Sequence, residues 1–181
     1  INNTITYIEN NAYVKGLSLS SYRYKENRVK NDQNIFSLLS TFSFTSDEIV
    51  DIFIKPIDSD YIYTNTGLTA AWTYYNNRFL GDYENWLETI EGNYRKMTIK
   101  AFGCQKKTGP EAEFRTSNIY VIKTIKSGSK KIGTLVMSLD ESFVSGIFSN
   151  KEYAKDRLIY VLNEADEILS SNTDQKIEYL P

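Results

Sequence analysis

The chain contains no histidine, one cysteine (Cys104) and three prolines in 181 residues. Without histidine, zinc sites of the Cys/His type and catalytic triads with an imidazole base are excluded. A single cysteine cannot close a disulfide within one chain, and Cys104 reads as an inert, half-buried thiol. No apolar run approaches the roughly 18 residues that a bilayer-spanning helix requires. A basic excess is missing as well. Lys plus Arg number 21 against 23 for Asp plus Glu, a formal charge of -2, which argues against nucleic acid as a partner. There is no initiator methionine and no leader; the pattern is under way at Ile1 and stops at Pro181 just after strand-like sequence. The expectation is a segment of a larger, membrane-anchored protein.

What remains for catalysis is carboxylates, lysine and tyrosine. Asp58 and Asp60 are the closest paired acids, but they sit in a turn-like stretch, Pro56 to Asp60, and nothing places a second carboxylate across a cleft from them. A secreted carboxylate hydrolase is therefore the weakest of three functional readings. Lys126-Ser127-Gly128-Ser129-Lys130-Lys131 is hairpin-turn sequence with the wrong spacing for a phosphate loop. No metal and no cofactor are expected.

Hydrophobic residues make up 41% of the chain, enough for a packed core. A seven-residue rhythm runs through Ile1, Ile5, Ile8, Ala12, Lys15, Leu19, Tyr22, Glu26, Val29, Gln33, Phe36 and Ser40. It predicts one long or broken helix over roughly 3–41, weakened near Gly16 and the serines after it. The seam faces either its own domain or a second copy of the chain. The period then shortens. Ile52 and Ile54 fall on one face of a strand and Phe53 on the other, and a second strand, Tyr61 to Thr64, completes a hairpin.

Residues 68–95 hold both tryptophans and many tyrosines, and helical spacing links Trp72, Tyr75 and Phe79. Two short helices broken near Gly81 and Asp82 are expected. Strands follow at 97–102, 118–125 and 131–139, with Asp140 as the cap of a short helix over 141–148. A last hairpin at 158–170 repeats the strand, acidic turn and strand of the first. The order predicts an α+β fold: a long N-terminal helix packed on a central antiparallel sheet of about five strands, with a partial second module at the C-terminus. The expected division is a helical stalk at 1–45, a sensing domain at 46–150, and a connector plus opening hairpin at 151–181.

Fourteen tyrosines and two tryptophans are a heavy load for this length. Aromatics with polar tips suit a pocket that stacks on a ligand while offering hydrogen bonds. Trp72, Tyr75 and Arg78 form the densest stretch, with Arg78 able to clamp a carboxylate or phosphate. Tyr61 and Tyr63 share one face of their strand, and Tyr120 lies on a later one. These six are the candidate ligand-binding residues.

Four stretches carry a family resemblance: 34–39 with 49–54, Tyr61 to Gly67, Lys131 to Asp140, and Leu158 to Asn163 with Glu167 to Ser171. In their order of elements they resemble the extracellular Cache domains, PAS-like sensing modules of bacterial receptors. The likeness is to the sensing regions of Gram-positive sensor histidine kinases and membrane-bound AraC-type regulators. The resemblance implies a small-molecule sensor on the outer face of the membrane. Its ligand would be a sugar, an amino acid or an organic acid, and its signal would pass through the N-terminal helix, within a homodimer. Amino-acid-binding members of the wider family carry an Arg followed closely by an aromatic pair. Arg78 is followed by Phe79 and Leu80, which departs from that pattern. The alternative is a dimerisation or protein-docking module with no small-molecule ligand.

Overall fold

The structure is a computed structural model that describes residues 1–18, 25–57, 59–71, 73–74, 88, 92, 97–103, 117–149, 157, 159–166 and 168–171. The N-terminal helical region comes in pieces: α1 (Asn2–Asn10), α2 (Ala12–Lys15) with a 3-10 turn at Gly16–Ser18, and α3 (Lys25–Thr45). Asn11 makes the first break. Its backbone is extended, and its side chain accepts the Tyr13 N–H at 2.9 Å, so it ends one helix and caps the next.

That break resets the helical phase, and the seven-residue seam does not continue through it. Ile5 and Ile8 of the seam are buried, but in α3 the buried pair is Ile35 and Leu39, while Val29 of the seam is 52% exposed. The i, i+4 spacing of Ile35 and Leu39 puts both on the one face that meets the sheet.

The sheet has six strands in the order β3-β2-β1-β6-β5-β4, all antiparallel. The strands are β1 (Ile49–Pro56), β2 (Tyr61–Thr64), β3 (Gly67–Ala70), β4 (Thr98–Gly103), β5 (Ser117–Ser127) and β6 (Lys130–Leu139). The strand beyond the expected five is β3. Its four residues follow the Asn65-Thr66 turn directly and pair with β2 before the helical stretch begins. Too short to show a period, such a strand is legible only through its partner. Gly128 turns the β5–β6 hairpin with φ +62°, a conformation that costs glycine little.

Asp140 caps α4 (Glu141–Ser149) as expected, its carboxylate accepting the Ser142 N–H at 2.8 Å. The small second sheet pairs β7 (Tyr160–Leu162) with β8 (Ile168–Ser171). Asn163 in its turn donates to the Ile99 carbonyl of edge strand β4 at 2.9 Å, tying the hairpin to the main sheet. The architecture is thus α+β, with N-terminal helices on an antiparallel sheet and a smaller second β-module.

The two faces of the main sheet differ in chemistry. One face carries Ile52, Ile54, Ile119, Val121, Leu135 and Met137, which form a single apolar core with Ile5, Ile8, Ile35 and Leu39 of the helices. There α3 lies along β1 and β2, and α1 reaches β5. Strand alternation sends the intervening residues to the other face.

Candidate functional site

The second face is buried too, yet much of it is polar. Asp51, Lys55, Thr64, Thr124, Thr134 and Ser138 are each 7% exposed or less. Strand register lines them up in rows. Asp51 pairs with Ser138 and Ser138 with Tyr120; Phe53 pairs with Val136 and Val136 with Ile122; Lys55 pairs with Thr134 and Thr134 with Thr124.

A β-bulge at the start of β1 sets the first row. The pairing jumps from Ile49↔Leu139 to Asp51↔Ser138, leaving Val50 as the extra residue and 45% exposed. Without that insertion, strand alternation would send Asp51 to the helix side. Bulges re-aim side chains in this way, frequently beside binding sites.

Asp51 accepts the Ile52 N–H at 2.9 Å on one oxygen and the Tyr74 hydroxyl on the other. Both partners donate, the pattern an ionised carboxylate satisfies. The Tyr74 ring packs edge-on against Phe53 with centroids 5.1 Å apart. Ser138, directly opposite Asp51, is 1% exposed, and its hydroxyl has no hydrogen-bond partner among the described residues. A buried, unmatched hydroxyl is costly; the Tyr160 hydroxyl on β7 is in the same position. Lys55 has a structural role, since its ammonium donates to the Pro56 and Ser59 carbonyls at 3.1 and 2.6 Å and closes the β1–β2 turn.

Beside Asp51 a pocket of about 330 Å³ opens toward the β2–β3 turn, lined in part by Thr64, Asn65, Thr66, Thr69 and Tyr74. A larger pocket of about 670 Å³ lies on the opposite, helix side of the sheet, between β4, β5, α4 and β8. Met97, Ile99, Val121, Leu139 and Val161 make most of its walls apolar, and Asn2, Asn3, Ser46 and Glu48 supply its polar part.

The six expected site residues are distributed unevenly. Tyr120 lies on the polar face, in the Asp51 row, and is 2% exposed. Tyr63 points to the helix face, where its ring meets Phe36 at 5.6 Å and its hydroxyl donates to Asp32 at 2.7 Å. Tyr61, two residues earlier on the same strand, is 49% exposed. The sheet therefore separates Tyr63 from Tyr120 rather than bringing them together. Trp72, Tyr75 and Arg78 lie outside the described residues, as do Asp58 and most of the expected aromatic helices. The residues missed in sequence were Asp51, Thr124, Thr134 and Ser138. Their signal was present: polar side chains four residues apart inside largely apolar strands, Thr134 and Ser138 on β6 and Asp51 and Lys55 on β1.

Among the described residues no group of His, Cys, Asp or Glu could hold a metal ion, and no helix is long and apolar enough to cross a membrane.

This arrangement of helices, six-stranded sheet and second β-module is a fold shared with solved bacterial sensory domains. In particular, the chain is similar to the sensory domain of the Campylobacter jejuni chemoreceptor Tlp3. The isoleucine-bound structure of that domain superposes with a TM-score of 0.56 at 11% identity, over 98% of this chain and 64% of that one. The L-valine complex gives 0.53 at 10% identity, over 94% and 60%, and the L-norvaline complex 0.53 at 11%, over 93% and 59%. The chain thus spans less than two thirds of the Tlp3 domain's length. No protein-family model matches the chain, and no curated protein matches it.

Proposed function

We propose that this chain is an extracellular small-molecule-sensing domain of a membrane-anchored receptor, with its ligand on the polar face of the sheet. The observation that carries this reading is the buried row Asp51–Ser138–Tyr120. A carboxylate re-aimed by a bulge faces a buried hydroxyl that has no partner among the described residues. The likeness to Tlp3 structures bound to isoleucine, valine and norvaline supports the reading and supplies the first compounds to screen.

The sensing unit is residues 46–150, and Trp72, Tyr75 and Arg78 complete the site around Tyr120. Two polar links join β2 to the long helix: Tyr63 to Asp32, and Asn65, which also lines the pocket, to Ser43 at 2.9 Å. A ligand that binds two arrangements of the β2–β3 turn with different affinity would shift α3 through these links. The parent's output, whether kinase, transcription regulator or chemoreceptor, belongs to the chain beyond this domain.

Thermal-shift screening of the 1–181 chain against amino acids, sugars and organic acids tests the proposal. A ligand at 100 times its Kd stabilises by about 2.7 kcal/mol. Alanine at Trp72 or Arg78 should remove the shift without unfolding the domain. A library that moves nothing refutes the sensing reading and favours the alternative of a docking or dimerisation module. Phe44 (84% exposed) and Tyr7 (60% exposed) on the helices would serve that alternative. It predicts a dimer in light scattering that Phe44→Ser dissolves.

A further inference from the structure

The apolar core on the helix side of the sheet borders a cavity. Ile119, Val121, Leu139 and Leu169 are each 5% exposed or less, yet all four line the space of about 670 Å³ between β4, β5, α4 and β8. Its volume is that of a small-molecule pocket, and an apolar occupant would be held by the wall surface it removes from water.

Strand register gives the cavity a long axis with two unlike ends. Leu139 pairs with Ile119; one step along the same face Val121 pairs with Ile99; Met97, just before the Thr98–Ile122 pair, lies level with Lys123. From Ile119 to that level β5 rises about 13 Å. The Ile119 end is polar. Glu48 stands just past it, its carbonyl accepting the Asp140 N–H at 3.2 Å and its carboxylate accepting the Ser46 hydroxyl. After Ser46, the Ile1 amino group also lowers the Glu48 carboxyl, which brings Asn2 and Asn3 of α1 to the same end. At the other end Met97 and Ile99 are apolar.

Asparagine amides donate and accept, and a carboxylate accepts. A hydroxyl or amide head does both and matches this set, whereas a carboxylate head would set a second anion against Glu48. From this gradient we infer a second binding site, which takes a free, uncharged amphiphile with one slender apolar tail. The tail lies along β4 and β5, and the hydroxyl or amide head sits beside Glu48. The site is on the opposite side of the sheet from the Asp51 row, so it stands apart from the sensing reading above.

Three probes test it by calorimetric titration of the 1–181 chain: 1-octanol, 1-butanol (the same head on a short tail) and octanoate (an anionic head on a like tail). Octanol should bind about 100-fold more tightly than butanol, the worth of four buried methylenes, and more tightly than octanoate. Val144→Trp, which fills the space from α4, should abolish octanol binding and leave any ligand of the polar face unaffected. Should Val144→Trp fail to fold, Phe143→Ala takes its place. Phe143 is 41% exposed at the cavity wall, and its truncation should weaken octanol by about 3- to 10-fold.

Equal affinities for octanol and butanol, or octanol binding that neither variant changes, overturn the site. Octanoate binding more tightly than octanol overturns the uncharged head. Silence of all three probes also overturns the proposal. In that case a dimer in light scattering that Phe143→Ser dissolves would make the groove a contact between copies. None of these results bears on a ligand above Asp51.

Discussion

Replacing Ser138 with alanine tests the central observation directly, and the expected sign is unusual for a buried polar residue. Ser138 is 1% exposed, and its hydroxyl has no partner among the described residues. Burying such a group without a bond costs about 1–3 kcal/mol, which Ser138→Ala recovers. The variant loses the packing of one oxygen atom, about 0.5–1 kcal/mol by analogy with deleting one methylene. The difference leaves Ser138→Ala more stable by about 0.5–2 kcal/mol, or about 1–8 °C in Tm for a chain of this size. Urea denaturation at a fixed temperature measures it, with an unchanged m-value showing that the native and unfolded states keep their compactness. The same variant should bind the domain's ligand less tightly, so stability and affinity move in opposite directions. A fall in the urea midpoint of Ser138→Ala would mean that the hydroxyl is already satisfied in the free protein. No orphaned hydroxyl would then stand beside Asp51 to meet a ligand.

Other expectations are equally direct. At Gly133, paired with Pro56 across β1 and β6, an added Cβ would stand 2.8 Å from the Lys55 carbonyl oxygen and 3.3 Å from Pro56 Cα. Both are backbone atoms with little room to give, so Gly133→Ala should lower stability by about 1–3 kcal/mol in urea denaturation. Tyr63→Phe removes the bond to Asp32 but keeps the ring on Phe36; a loss of about 1 kcal/mol with ligand affinity intact would show that Tyr63 serves the fold and not the site. A double-mutant cycle on Asn65 and Ser43 should return a coupling of about 0.5–1.5 kcal/mol, and a coupling of zero would remove that link from the path to α3. The Ser46 hydroxyl, bonded to Glu48, is the main cause holding that carboxyl below its usual 4.5. A depressed carboxylate contributes stability above its unfolded value, and that contribution disappears as pH falls through the folded one. Ser46→Ala should therefore flatten the acid limb of the stability curve below about pH 5, measured as urea midpoint against pH.

How far the sequence was legible follows from the length of each pattern. Strands β5 and β6 run 11 and 10 residues, long enough for composition and turn signals to fix their positions within a residue or two. Asp140 was readable as a cap because capping is local chemistry. β3 was not, because four residues carry no period and its identity depends on pairing with β2. The seam through α3 failed for a similar reason: a heptad count assumes unbroken helical phase, and the extended residue at Asn11 and the 3-10 turn at Gly16–Ser18 both interrupt it before α3.

At the site, aromatic density drew attention to Tyr61 and Tyr63, since large rings stand out in a sequence. The small polar residues that mark the buried face do not stand out. Thr134 and Ser138 differ from their apolar neighbours by a single hydroxyl each, and only strand register shows that they stand in rows with Lys55 and Asp51.

The alternation along β1 has a consequence for how such a domain can change. Ile52 and Ile54 answer to the helices, while Asp51 and Phe53, interleaved with them, answer to whatever lies above the opposite side. Adjacent positions in one strand thus carry separate duties. A new chemical preference can be written at positions such as 51 while Ile52 and Ile54 go on holding the scaffold, so one frame can serve many different molecules.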